Sequence, residues 1–120
     1  MKAVVKDRFS RMFSPSFVEK HPEVAERYKS VLLQNKPEGY LRVMQRMGHP
    51  STSPDLSKIS CPTLVIGGEY DFGGPSAAKG TQEAIHGSKL IIFPTGHAPA
   101  IEVPREYNET ILTFLSGVAE

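Results

Sequence analysis

The sequence predicts an α/β fold: a helical segment followed by a strand–helix–strand–helix unit. Three observations carry this reading. The apolar residues of the first fifty positions recur at three- and four-residue steps, the period of a helix with one buried face. Beyond residue 61 that period gives way to two short, nearly continuous apolar runs, Pro62–Gly68 and Lys89–Phe93, which read as strands of a parallel sheet buried on both faces. The stretches after each run return to helical spacing, and two such strands joined by a helix make a right-handed βαβ unit.

The elements follow in order. Val4, Val5, Arg8, Phe9, Met12 and Phe13 open the helical segment, and Ser14-Pro15 breaks it. Proline suits a first helical turn, where its missing N–H has no partner to lose. Pro15, Pro22 and Pro37 are therefore each expected to open a helix, giving three or four short helices over residues 1–50. Val24, Tyr28, Val31 and Leu32 form one apolar stripe, and Tyr40, Leu41, Val43, Met44 and Met47 another, ended by Gly48-His49-Pro50. Residues 51–61 read as a linker. Residues 62–120 then hold the first strand, a helix over Ser76–Ile85, the second strand, and an amphipathic helix over Pro104–Val118.

Bulk properties narrow the function classes. The chain has 120 residues, one modest domain, with 39% hydrophobic and 22% charged content, as in ordinary globular proteins. Net charge is +1, from 14 basic and 13 acidic residues. The basic residues of the first half alternate with acidic ones, a solvated-face pattern that gives no nucleic-acid footprint. No apolar run reaches the roughly 18 residues of a membrane span, and the charged first residues do not form a secretion signal. The one cysteine, Cys61, rules out an internal disulfide. A cytoplasmic protein with no membrane or nucleic-acid partner is expected.

The chemistry-bearing residues cluster in two loops at the expected carboxyl ends of the strands, where open α/β sheets bind ligands. Asp71 lies three residues past Gly68, and His97 four past Phe93. Neighbouring strands run ~4.8 Å apart, so loops this short can bring the carboxylate and the imidazole into contact. A carboxylate then fixes the histidine tautomer and stabilises the imidazolium, and the histidine serves as a general base toward a hydroxyl or water. Read alone, Asp71 is more readily a turn former than a catalytic acid, and one Gly-His pair carries little information.

The wider pattern adds a resemblance. The segment from Cys61 to Asp71, with Pro75, Leu90-Ile91-Ile92-Phe93 and Gly96-His97-Ala98-Pro99-Ala100-Ile101-Glu102-Val103-Pro104, resembles the C-terminal block of the α/β-hydrolase superfamily. The resemblance covers residues 58–118 and implies Asp71 as triad acid and His97 as triad base. More loosely, Met12-Phe13-Ser14-Pro15-Ser16-Phe17, His21-Pro22-Glu23 and Pro37-Glu38-Gly39-Tyr40 resemble the cap of enol-lactonase-type members, which hydrolyse a small lactone. It implies a truncated α/β-hydrolase fold: a cap or lid over 1–50 and the end of the hydrolase core over 62–120.

The family's nucleophile motif, G-x-S-x-G on a strand-to-helix turn, does not occur in the sequence. Gly74-Pro75-Ser76-Ala77-Ala78 imitates it, but Ser76 lies several residues beyond its strand. His86-Gly87 has the letters of an oxyanion loop but follows a helix and reads as a helix stop. The chain is thus expected to supply an acid and a base to a small ester or lactone substrate only when completed, and to be inactive alone. Two parallel strands with open apolar edges invite pairing, so a homo-oligomer or a complementing N-terminal half is the expected partner. The alternative is a non-catalytic, self-associating binding domain or the remnant of a truncated hydrolase. The four histidines lack metal-ligand spacing, and neither metal nor cofactor is expected. His21 and His49 read as exposed caps, Cys61 as a buried small residue, and Glu102 as a helix-start residue.

Overall fold

The computed structural model describes residues 9, 11–47 and 54–118. Helical backbone at Phe9, Arg11 and Met12 precedes three helices, α1 (Pro15–Lys20), α2 (Pro22–Leu33) and α3 (Pro37–Met47). All three begin on a proline. At α1 the preceding Ser14 sets the start, its hydroxyl accepting the Phe17 N–H at 3.3 Å. His21 is exposed before α2, as expected, but its side chain caps nothing; the ring lies against Phe17, centroids 4.8 Å apart. The readings made on Val4, Val5, Arg8 and Gly48-His49-Pro50 lie outside the described residues.

A 3-10 turn over Leu56–Lys58 leads to strand β1 (Leu64–Gly68). Helix α4 (Gly74–Ala84) returns the chain to strand β2 (Lys89–Phe93), which pairs parallel with β1, Leu64 opposite Lys89 and Gly68 opposite Phe93. Helix α4 starts two residues before the expected Ser76 because Gly74-Pro75 form its first turn, again with proline where its missing N–H is harmless. A one-turn helix α5 (Pro99–Glu102) and helix α6 (Pro104–Val118) end the fold.

The core is small and split. Phe13 is buried in the helical segment, stacked on Phe17 at 5.2 Å and edge-on to Tyr28 at 5.5 Å, geometries that add to simple area burial. Ile85 and Phe93 are buried around the sheet, on which α4 packs against both strands. Three readings need correction. Leu64–Ile66 and Leu90–Ile92 are half-buried, not buried on both faces; Leu64, Leu90 and Ile91 line an open groove of about 820 Å³ with Phe114 of α6. Leu41, Val43 and Met47 of the α3 stripe are exposed, with only Tyr40 and Met44 half-buried. Cys61 is exposed; it precedes the strand rather than entering it, so no side of the sheet covers it.

The hydrogen-bond register shows what the sheet leaves open. Thr63 C=O accepts from Lys89 N–H, and Glu69 N–H donates to Phe93 C=O, both at 2.9 Å. In a parallel ladder alternate residues face alternate edges, so Leu64 and Ile66 turn their backbone groups away from β2. Among the described residues no third strand meets that edge.

Candidate active site

The ladder continues past the strand ends and sets the two carboxyl-end loops side by side. Glu69 N–H reaches Phe93 C=O and Tyr70 N–H reaches Thr95 C=O, each at 2.9 Å. The approach is close enough that a Cβ on Gly68 would sit 2.6 Å from the Thr95 carbonyl oxygen and nearer still to that of Gly96. Only glycine fits there. Beyond it, Asp71 closes a turn, donating from its N–H to Gly68 C=O at 3.3 Å and accepting Gly74 N–H at 3.0 Å. The turn-forming role read for Asp71 is therefore real, and its side chain is left to do something else.

That side chain meets His97. His97 Nδ1 lies 3.0 and 2.9 Å from the two carboxylate oxygens of Asp71. An ionised carboxylate only accepts, so Nδ1 carries the proton, and in the neutral ring the lone pair is then on Nε2. Asp71 Oδ1 also accepts Phe72 N–H at 2.6 Å, which fixes the carboxylate independently of the histidine. The Phe72 ring stands edge-on to the imidazole, centroids 5.9 Å apart. The pair is open to solvent, His97 58% and Asp71 24% exposed at the side chain. At that exposure its ionic attraction is worth little; its value is orientation.

The helical segment supports the histidine loop from the other side. His97 N–H donates to Arg11 C=O at 3.0 Å. Gly96 lies flat against residues 12 and 13, where a Cβ would come within 2.6 Å of the Met12 carbonyl and 2.7 Å of Phe13 N. The Glu102 carboxylate accepts Gly96 N–H at 2.7 Å, Ser14 N–H at 3.0 and 3.2 Å, and the Ser14 hydroxyl. Glu102 lies in the first turn of the one-turn helix α5, of which it is also the last residue, and its side chain turns back into the structure. The Glu-x-Pro spacing after His97 marked this residue, but nothing local in the sequence indicated that Ser14 would meet it.

A cleft of about 420 Å³ opens beside the pair, between Asp71 and His97 and a wall of Met12, Tyr28, Leu32, Tyr40 and Met44. Its size falls within the range of small-molecule sites. The larger groove under α6 lies at the amino ends of the strands, away from the Asp71–His97 pair. Ser76 is exposed on the first turns of α4 and His86 and Gly87 form the turn after it; neither joins the pair. Among the described residues no three histidine, cysteine or carboxylate side chains converge, and no helix is long and apolar enough to cross a membrane.

An α/β fold that sets a carboxylate–imidazole pair at the carboxyl ends of parallel strands, with helices across the mouth, is the architecture of the second half of an α/β-hydrolase, and the chain has the fold of such a fragment. Its relatives are specific. It is 30% identical over 105 residues, 85% of its length, to 3-oxoadipate enol-lactonase 2 of Acinetobacter baylyi, of which the match spans 39%. It superposes with a TM-score of 0.87 and 25% identity on the enol-lactonase of Burkholderia xenovorans, over 97% of this chain and 45% of that one. The thermophilic esterase of Thermogutta terrifontis superposes at a TM-score of 0.83 with 28% identity, over 97% and 44%. The chain thus spans about two-fifths of the length of its curated relatives. No family model matches it.

Proposed function

We propose that the chain supplies the acid and the base of a triad that hydrolyses a small ester or lactone, with Asp71 as acid and His97 as base. The nucleophile and the oxyanion donors come from a segment outside these 120 residues. The observation that carries this reading is the approach of both Asp71 oxygens to His97 Nδ1. With Nδ1 held, Nε2 takes the proton of an attacking hydroxyl, and the resulting imidazolium is stabilised by Asp71. It then returns the proton to the leaving oxygen. Each missing oxyanion donor costs ~10²–10³ in rate, so the chain alone is inactive or nearly so. The mostly apolar wall of the cleft and the enol-lactonase and esterase likeness support a small, largely apolar acyl group or lactone ring, and a helical segment acting as its cap. A single cysteine fits the reducing cytoplasm.

Completion requires the rest of the sheet, supplied by the same polypeptide or by a partner. The free edge at Leu64 and Ile66, with exposed Leu112 and Leu115 on α6, fits an N-terminal hydrolase half or further copies of this chain. A second reading, a non-catalytic binding domain that self-associates, is favoured by the preformed cleft.

Mixing the chain with a separately produced N-terminal half of an enol-lactonase-type hydrolase and following a chromogenic ester tests the first reading. Turnover that appears on mixing and vanishes with His97→Ala supports it. Turnover indifferent to His97→Ala sinks the assignment, and saturable ligand binding without turnover favours the second reading. A clean 13.2 kDa monomer at micromolar concentration by light scattering would refute the need for a partner.

A further inference from the structure

The triad account leaves one buried polar arrangement unused. Glu102 touches neither His97 nor the cleft, yet its carboxylate collects Gly96 N–H, Ser14 N–H and the Ser14 hydroxyl. Gly96 immediately precedes His97. Ser14 is 2% exposed and sets the start of α1. Its hydroxyl donates to Glu102 while accepting from Phe17 N–H, so both its hydrogen-bonding roles are filled. Hydrogen bonds to an ionised acceptor are shorter and about twice as strong as neutral ones, and donors buried without them would be orphaned.

We infer that Glu102 is a positioning residue for His97, acting through the backbone of Gly96. Two supports hold the histidine loop on the helical side: the Arg11 carbonyl bound to His97 N–H and the Glu102 carboxylate bound to Gly96 N–H. The first stays in place only while residues 11–14 lie against the loop, and Glu102 is what ties Ser14 there. Loss of the carboxylate therefore releases both supports together. The Asp71 side has its own anchor in Phe72 N–H, so the carboxylate stays while the imidazole swings. A purely structural glutamate would lower stability without changing the imidazole's hydrogen bond.

The inference rests on His97 being the base only for its catalytic consequence. Its test reads the His97–Asp71 bond directly and needs no turnover. In the full-length chain, ¹⁵N-labelled at histidine, the His97 Nδ1 proton is followed by NMR in wild type, Glu102→Gln and Ser14→Ala. Glutamine keeps the shape but offers one acceptor oxygen and places an N–H₂ against donors. The expected result is at least about tenfold faster solvent exchange of that proton in Glu102→Gln, with a smaller acceleration in Ser14→Ala, while amides around Ala25 and Ile85 keep their shifts. An unchanged exchange rate in a folded Glu102→Gln protein overturns the inference. If Glu102→Gln does not fold, Ser14→Ala decides: a His97 proton unaffected there overturns it equally. Failure of His97→Ala to abolish complemented turnover would remove the triad reading and leave this result standing.

Discussion

Gly96→Ala is the sharpest test of how the helical segment and the histidine loop are joined. The three atoms nearest an added Cβ are all backbone: Met12 C and O at 2.6 Å and Phe13 N at 2.7 Å. None can rotate away as a side chain would, so residues 12–13 or the loop must move by on the order of 1 Å to reach ordinary contact. Overpacking of this kind costs about 1–3 kcal/mol. The shift also lengthens Gly96 N–H to Glu102, 2.7 Å in the native state, a charge-assisted bond worth about 1.5–3 kcal/mol. The sum, about 2.5–6 kcal/mol, is a large share of a small domain's stability. The control is Gly80→Ala, in the middle of α4 with nothing within 4 Å of the new Cβ; it should stabilise by about 0.5–1 kcal/mol. Urea unfolding followed by circular dichroism at one fixed protein concentration reads both, since any assembly makes the midpoint concentration-dependent. The expected order of midpoints is Gly80→Ala, wild type, Gly96→Ala. A Gly96→Ala midpoint equal to wild type would refute the reasoning, because it would mean the two segments are not in contact.

Three further outcomes follow from the same geometry. Asp71→Asn keeps the shape beside His97 but offers an N–H₂ group and no longer enforces the Nδ1–H tautomer; in a complemented, active assembly kcat should fall by on the order of 10⁴, and a fall under tenfold would argue against Asp71 as the acid. Cys61, being exposed, should react in full with a thiol reagent in the folded protein; a thiol that reacts only on unfolding would contradict the placement. The hydrogen bond from the Ser57 hydroxyl, with Lys58 and the Ser57 N–H adding to it, holds the exposed Asp55 carboxyl below its ordinary 3.8. Its small contribution to stability is therefore present above pH 3.8 and fades as pH falls through the lowered value. An NMR titration should place the Asp55 midpoint below that value and Ser57→Ala should raise it; a midpoint that Ser57→Ala does not move counts against the assigned cause.

Much of this was legible in the sequence because the signals are local. Proline at the first position marks α1, α2 and α3 through backbone geometry alone. The apolar runs mark β1 and β2, and the short loops after them fix where Asp71 and His97 emerge. What the sequence hid is of two kinds. Burial depends on what lies across from a residue. Leu64, Ile66 and Leu112 carry a core-forming pattern but find little to pack against within these residues, so pattern overstated burial. Long-range hydrogen bonds leave no periodic trace. In sequence Ser14-Pro15 reads as a helix break and Glu102 as a helix-start residue, and each reading is locally complete. Their meeting at Gly96 is a product of the fold, not of either segment.

The bond between Ser14 and Glu102 joins residues 88 positions apart, and it has a kinetic consequence. Closing so long a loop is entropically unfavourable and is rewarded only when both ends are already structured. The β1–α4–β2 unit closes over a much shorter stretch of chain, so Asp71 can be in place while His97 still lacks its support on the other side. The imidazole should thus acquire its orientation late in folding, when residues 11–14 dock, and lose it early on unfolding.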